Sequence, residues 1–343
     1  MKYAITVAGD ITSGLSHFAL AGLSLIARSL TSSRVVTYWS QESTPRGILE
    51  MDDVTPLELA KRIQSLCDQW LNGWAAVRVK YAGGTFSPFS PRFKPIDPKK
   101  EPEDWVTHQK SRTAELDKLL ENNDSLALQF IQALGEASYW SFDSKQKQPK
   151  PDRGASRWEM KTRNAGQEFV SNRFFKFMQE ISDWPAEQIL SGIEGETVHD
   201  PFYNASKGES RTASGFTPPR KTDVALAFVA ILGISQFPIS YQVRQVSVTP
   251  GAFPSNSEEH KLAVLPVTAK PITPERFESI VISRDWSQIV SSFSTGPETT
   301  PLAEQATLAL KTEGVIACAA FNIYRTNSKV PETYFEQGKI HLL

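Results

Sequence analysis

Eleven consecutive residues without a polar or charged side chain, VALAFVAILGI (Val224–Ile234), constrain the fold most strongly. A helix that is apolar on every face has to be surrounded by other elements, so this run belongs at the centre of a core. Thr222 or Asp223 supplies a cap at its start, and Gly233 with Pro238 marks its end. A second run, LSHFALAGLSLIARSL (Leu15–Leu30), is apolar on most faces and long enough for a four-turn buried helix. Before it, Lys2–Ala8 alternates with Tyr3, Ile5 and Val7 on one side, which predicts a strand. RVVTYWS (Arg34–Ser40) and Gly47–Met51 predict two more. Thr55-Pro56 predicts a helix start running to about Asn72, with Leu57, Ile63, Leu66 and Leu71 in the core. The opening is therefore β-α-β-β-α-like.

Beyond it the pattern loosens. GGTFSPFSPRFKPIDP (Gly83–Pro98) is too rich in proline for regular helix and reads as a long connection, as does the Gly/Ser/Pro-rich stretch Ile193–Pro219. One or both are expected to order only on assembly with partners. Helices are expected over Arg112–Glu121, Ser125–Leu134, Pro274–Ile282 and Leu302–Leu310, and strands over Gln242–Thr249, Leu262–Thr268 and Val315–Tyr324. The fold class is α+β. Residues 1–82 form an N-terminal α/β-like portion, 83–240 a basic arm and helical portion, and 241–343 a C-terminal mixed α+β portion.

The 343 residues hold 37 Lys and Arg against 38 Asp and Glu, so any contact with a polyanion must be a patch. One stretch is basic: Lys145–Lys176 carries nine cations against three acids. Its start has no apolar residues and reads as an arm. Asn164 then reads as the cap of a helix with Val170, Phe174, Phe177, Met178 and Ile181 on a buried stripe. Phe169, Arg173 and Lys176 fall on a flank, a combination that suits phosphates with bases beside them. A solvated loop followed by an ordinary amphipathic helix fits the same composition.

Catalytic signals are sparse. His17 lies within an apolar helix and reads as packed. Cys67 and Cys318 have no metal-ligand spacing and read as buried small hydrophobes in a reducing, cytoplasmic setting. There is no P-loop and no nucleophile elbow. His199-Asp200 is the best isolated acid-base pair, and it carries the rival reading of a metal-dependent nucleic-acid-processing enzyme. No catalytic residue, metal ligand or cofactor is otherwise assigned, and no membrane segment is read.

Three phrases carry a resemblance: Ser16–Leu23 (SHFALAGL), the Trp158-centred GASRWEMKTRNAGQEFVSNR (Gly154–Arg173), and SRTASGFTPPRKTDVALAFVAILGISQFPI (Ser210–Ile239). Together they resemble a large subunit of a type I CRISPR Cascade complex, nearest the compact I-G (formerly I-U) branch. The resemblance implies a non-enzymatic protein that meets crRNA and target DNA beside backbone and capping subunits. Such a subunit inspects the protospacer-adjacent motif, stabilises the opened strand of the R-loop and presents it to a separate helicase-nuclease. Under that implication Arg157, Arg163, Asn164, Asn172 and Gln236 are base-reading candidates by side-chain type. Lys145, Lys147, Lys150, Arg153, Lys161, Arg173, Lys176, Arg211, Arg220 and Lys221 are candidates for phosphates of DNA or RNA. Many large subunits end in a helical bundle, whereas Asp285–Leu343 contains a strand and little bundle periodicity; separate small subunits would then supply that part. A structural subunit whose arm grips crRNA is a further alternative.

Overall fold

The computed structural model describes residues 1–81, 83–92, 96–136, 150–160, 169–203, 213–242, 245–255, 257–293, 301–327 and 332–343. The chain is α+β. It opens with β1 (Lys2–Thr6), α1 (Gly14–Leu30), β2 (Val35–Trp39), β3 (Gly47–Asp52) and α2 (Pro56–Leu71), the order expected from the patterning. β3 lies between β1 and β2, antiparallel to both. Local chemistry sets the boundaries: Ser13 caps α1, and Thr55 and Glu58 form a reciprocal capping box ahead of Pro56 on α2.

A short hairpin, β4 (Val79–Tyr81) and β5 (Gly84–Phe86), then leads to α3 (Pro102–Glu121) and α4 (Ser125–Leu134). α3 starts a full ten residues before the expected Arg112. α4 begins at a buried cap whose second role was not evident: the Asp124 carboxylate accepts hydrogen bonds from Ala127 N, from Trp70 Nε1 at 2.8 Å and from Gln69 Nε2 at 3.0 Å. One carboxylate thus fastens α4 to α2.

A π-helical turn (Phe169–Phe174) runs directly into α5 (Phe175–Ser182), followed by α6 (Ala186–Glu194) and α7 (Val224–Leu232). The stripe of Val170, Phe174, Phe177, Met178 and Ile181 is buried as expected. The expected flank is kept only in part: Lys176 is exposed and Arg173 is half-buried. Phe169 is fully buried, because the wider i→i+5 turn shifts the phase of the face and rotates this ring inward. Phe174 sits in an aromatic cluster, 4.7 Å from Phe130, 5.0 Å from Phe228 and 6.0 Å from Trp70 between ring centres.

The C-terminal portion holds β6 (Ala252–Phe253), β7 (Leu262–Thr268), α8 (Pro274–Val281), α9 (Arg284–Ser292), α10 (Pro301–Thr312), β8 (Val315–Arg325), β9 (Thr333–Phe335) and β10 (Lys339–Leu342). The antiparallel order is β10-β8-β7-β6, with β9 on the far end of β8. Among the described residues of 242–249 no strand is assigned; the backbone there makes one isolated bridge, Ser240 to Val248. The segment 285–343 also holds more helix than its patterning indicated, since α9 packs against α10.

All nine residues of α7 and fourteen of the seventeen in α1 are buried, and the two helices pack directly on each other. One contiguous apolar core runs from Ile5 to Phe335 and draws on all three portions of the chain. Thr37 exchanges two backbone hydrogen bonds with Ile272, which ties the first sheet to the segment after β7. Cys67 and Cys318 are free and buried, and burial pushes both thiols up, Cys318 to about 12. His17 is packed as expected. Its Nε2 is 2.8 Å from Ile11 O, its ring lies 4.3 Å from Trp39, and burial lowers it to about 4.

Candidate nucleic-acid interface

The N-terminus of α7 organises one surface. Asp223, 2 % exposed, caps the helix through Ala225 N and Leu226 N, and its other oxygen accepts a hydrogen bond from His199 N at 2.9 Å. The next carboxylate, Asp200, accepts from Phe202 N at 3.2 Å and from Thr222 N at 3.0 Å. Together they clasp residues 199–203 against 221–223. His199 and Asp200 are therefore occupied as fasteners: the backbone of one and both oxygens of the other hold the loop, while the His199 ring lies edge-on to Trp184 at 5.6 Å. Among the described residues no three His, Cys, Asp or Glu side chains converge to hold a metal ion.

The clasp displays aromatics beside cations. Phe202 is 37 % exposed, and its ring meets Phe177 of α5 at 5.7 Å. The Lys221 ammonium lies 5.7 Å from the centre of the Tyr203 ring, and Arg220 beside it is exposed. On α5 Lys176, adjacent to Phe177, is exposed, as is Asn172 in the preceding turn. Phe202, with the exposed Lys221, Arg220 and Lys176 near it, suits a stacked base and its phosphates, while the Lys221 ammonium stands over the Tyr203 ring. Phe202 and Tyr203 were not singled out from the sequence. The readable signal was an Asp-Pro pair opening a turn directly before two aromatics.

A second feature is a cleft of about 380 Å³ walled by the Trp158 segment, by Glu258–Lys261 ahead of β7, by β8, and by Thr333. Arg157 lies in its wall and is 1 % exposed. Its Nη1 donates to Glu258 O at 2.9 Å, and Nη2 donates to Ala155 O at 2.7 Å and to Asp152 O. Burial, then the neighbouring Arg92, pulls this guanidinium down to about 9. Arg92 pairs with Glu159 at 3.2 Å, and Glu159 is wholly buried.

These placements correct several expectations. Arg157 and Gln236 do not present base-reading edges on an open surface; both are 1 % exposed, one held by carbonyls, the other enclosed in the turn after α7. Arg153 pairs with Glu258 at 3.0 Å and Arg173 faces Glu332 at 3.8 Å, so neither is an uncommitted phosphate contact. Physically, Arg153 and Arg157 lie where the chain folds back on Glu258, ahead of β7, and Arg173 lies against Glu332, ahead of β9, rather than on an extended arm. Lys150 is half-buried, and Lys176, Arg220, Lys221 and Asn172 remain exposed. Lys145, Lys147, Lys161, Arg163, Asn164 and Arg211 lie outside the described residues.

Among the described residues no helix is long and apolar enough to cross a membrane. Compared with protein-family models, curated proteins and solved structures, the chain matches none.

Proposed function

We propose that the protein is a non-catalytic subunit that holds a nucleic-acid strand, in the manner its resemblance to a large subunit of an RNA-guided interference complex implies. The observation that supports it is the surface where exposed Phe202 and half-buried Tyr203 stand beside Lys221 and Arg220. A single strand offers alternating planar bases and phosphates, and this surface offers rings and cations at the same scale. The exposed Lys176 and Asn172 on the neighbouring turn extend the polar contact. Because the chain is nearly neutral overall, association depends on this patch rather than on bulk charge. In the assembled complex the strand is the displaced DNA strand, with inspection of the protospacer-adjacent motif at its edge, and crRNA and neighbouring subunits complete the channel.

The test is binding of a fluorescein-labelled deoxythymidine 20-mer, by the protein alone and within a crRNA complex, over a salt series. Phe202→Ala with Tyr203→Ala should weaken binding at least fivefold per lost stacked base, from about 1–3 kcal/mol each. Arg220→Ala with Lys221→Ala should make the logarithmic salt slope shallower by about 0.7 per lost phosphate contact. Wild-type affinity in both variants would refute the reading. A preference for the crRNA handle over DNA would instead assign the surface to RNA gripping.

A further inference from the structure

The cleft beside Trp158 contains polar groups that its own walls do not satisfy. His260 lines it, and neither ring nitrogen has a hydrogen-bond partner. Arg157 Nε is likewise buried without an acceptor, although the rest of its guanidinium is locked by three carbonyls. Nine in ten buried polar groups in folded proteins are paired, so orphaned atoms on two adjacent side chains in one cleft point to a missing partner. Burial, with Arg157 and Arg92 nearby, holds the imidazole well below its ordinary range, so it is neutral and offers one donor and one acceptor. Trp158 fixes it edge-to-face at 5.8 Å.

The charges around the cleft largely cancel. Arg92 faces Glu159, Arg153 faces Glu258 and Arg325 faces Glu259. A free anion entering the floor meets Asp152 and Glu159, and a cation meets Arg92 and Arg157. A neutral planar group with alternating donors and acceptors avoids both penalties. The cleft volume lies near the lower limit of ligand pockets, about 300 Å³, which suits one nucleotide and excludes a duplex. At the mouth, Lys261 and Arg325 are exposed cations.

We propose that this cleft receives one nucleobase swung out of a bound strand, with the flanking phosphate on Lys261; the proposal rests on the strand-binding reading above. The chain connects the two features. Gly215 lies against Met160 and Thr333 at the cleft, and its carbonyl accepts from Phe335 N. Six residues on, at most about 21 Å away, Lys221 reaches the aromatic surface. At roughly 3.4 Å per stacked nucleotide that distance is about six nucleotides.

The experiment uses the full chain and deoxythymidine octamers in which an abasic site is walked through each position. One position should lose at least fivefold in affinity when its base is removed, while the others change less. Thr333→Trp, which fills the cleft, should bind the intact and abasic octamers equally. Lys261→Ala should weaken intact and abasic octamers alike, and serves if the tryptophan variant fails to fold. Tight octamer binding with no position standing out, or a penalty that persists in the filled variant, overturns the pocket and leaves strand binding intact. Absence of octamer binding by wild type overturns both.

Discussion

Replacing Gly22 with alanine tests the central contact of the fold. A Cβ on Gly22 would lie 1.9 Å from the Val229 carbonyl oxygen and 2.9 Å from Gly233 N, and a Cβ on Gly233 would lie 1.9 Å from the Phe18 carbonyl oxygen. The obstacles are backbone atoms on the facing helix, so no side-chain rotation relieves them. α1 and α7 must part by about an ångström. Overpacking of this kind costs roughly 1–3 kcal/mol, and a rigid backbone obstacle belongs at the upper end. Alanine recovers about 1 kcal/mol through helix propensity. The net expectation for Gly22→Ala is a loss of about 2 kcal/mol. Urea unfolding followed by tryptophan fluorescence measures it, with eight tryptophans in the chain as reporters. Gly22→Ala with Gly233→Ala should cost less than the sum of the two, because one separation of the helices relieves both clashes. A Gly22→Ala protein as stable as wild type, or more stable, would refute the close approach of the two helices.

Two further perturbations probe buried charge and proton uptake. Glu159→Gln, which strands Arg92 without its counter-ion, should destabilise by about 3–5 kcal/mol, whereas Arg92→Met with Glu159→Met should cost much less; equal losses in chemical denaturation would contradict a desolvated pair. Burial lowers His17 to about 4 and His108 to about 3. Their unfolded values stay near 6.5, so below that pH the unfolded chain takes up protons that the folded chain refuses. Stability is then fully present above about pH 6.5 and falls as pH drops toward 4, by about 3 kcal/mol for His17 alone. His17→Gln should reduce the steepness of that loss by about 1.4 kcal/mol per pH unit, and an unchanged slope would disprove the buried neutral state.

The elements legible in the sequence were those whose burial is one-sided or complete. α1, α2, α4 and α7 declared themselves by continuous or periodic apolar residues and by caps such as Thr55 and Asp223. β1 to β3 did so by alternation and β-branching. What failed depended on partners distant in sequence. The 242–249 segment alternates like a strand, yet its described residues make only the isolated bridge from Val248 to Ser240. β9 and β10 are short, and their pairing with β8 comes from tertiary context. Phe169 was assigned to the wrong face because a π turn leaves no periodic signature. The candidate site was legible as a basic region with Lys176, Arg220 and Lys221 but not in its aromatics. Arg157 was singled out by residue type, and its burial follows from three backbone carbonyls that no local pattern announces.

The way the chain closes on itself also has a bearing on its synthesis. Phe335 packs on Phe216, Phe321, Trp158 and Phe18, while Gly338 N donates to Thr12 O and Gln337 reaches Thr12 across 325 positions. Translation at about 5–20 residues per second separates the two ends of that contact by roughly 16–65 s. During this interval α1 has been made, but the rings that cover one of its sides have not. The native core around α1 therefore closes only after the ribosome has passed residue 335.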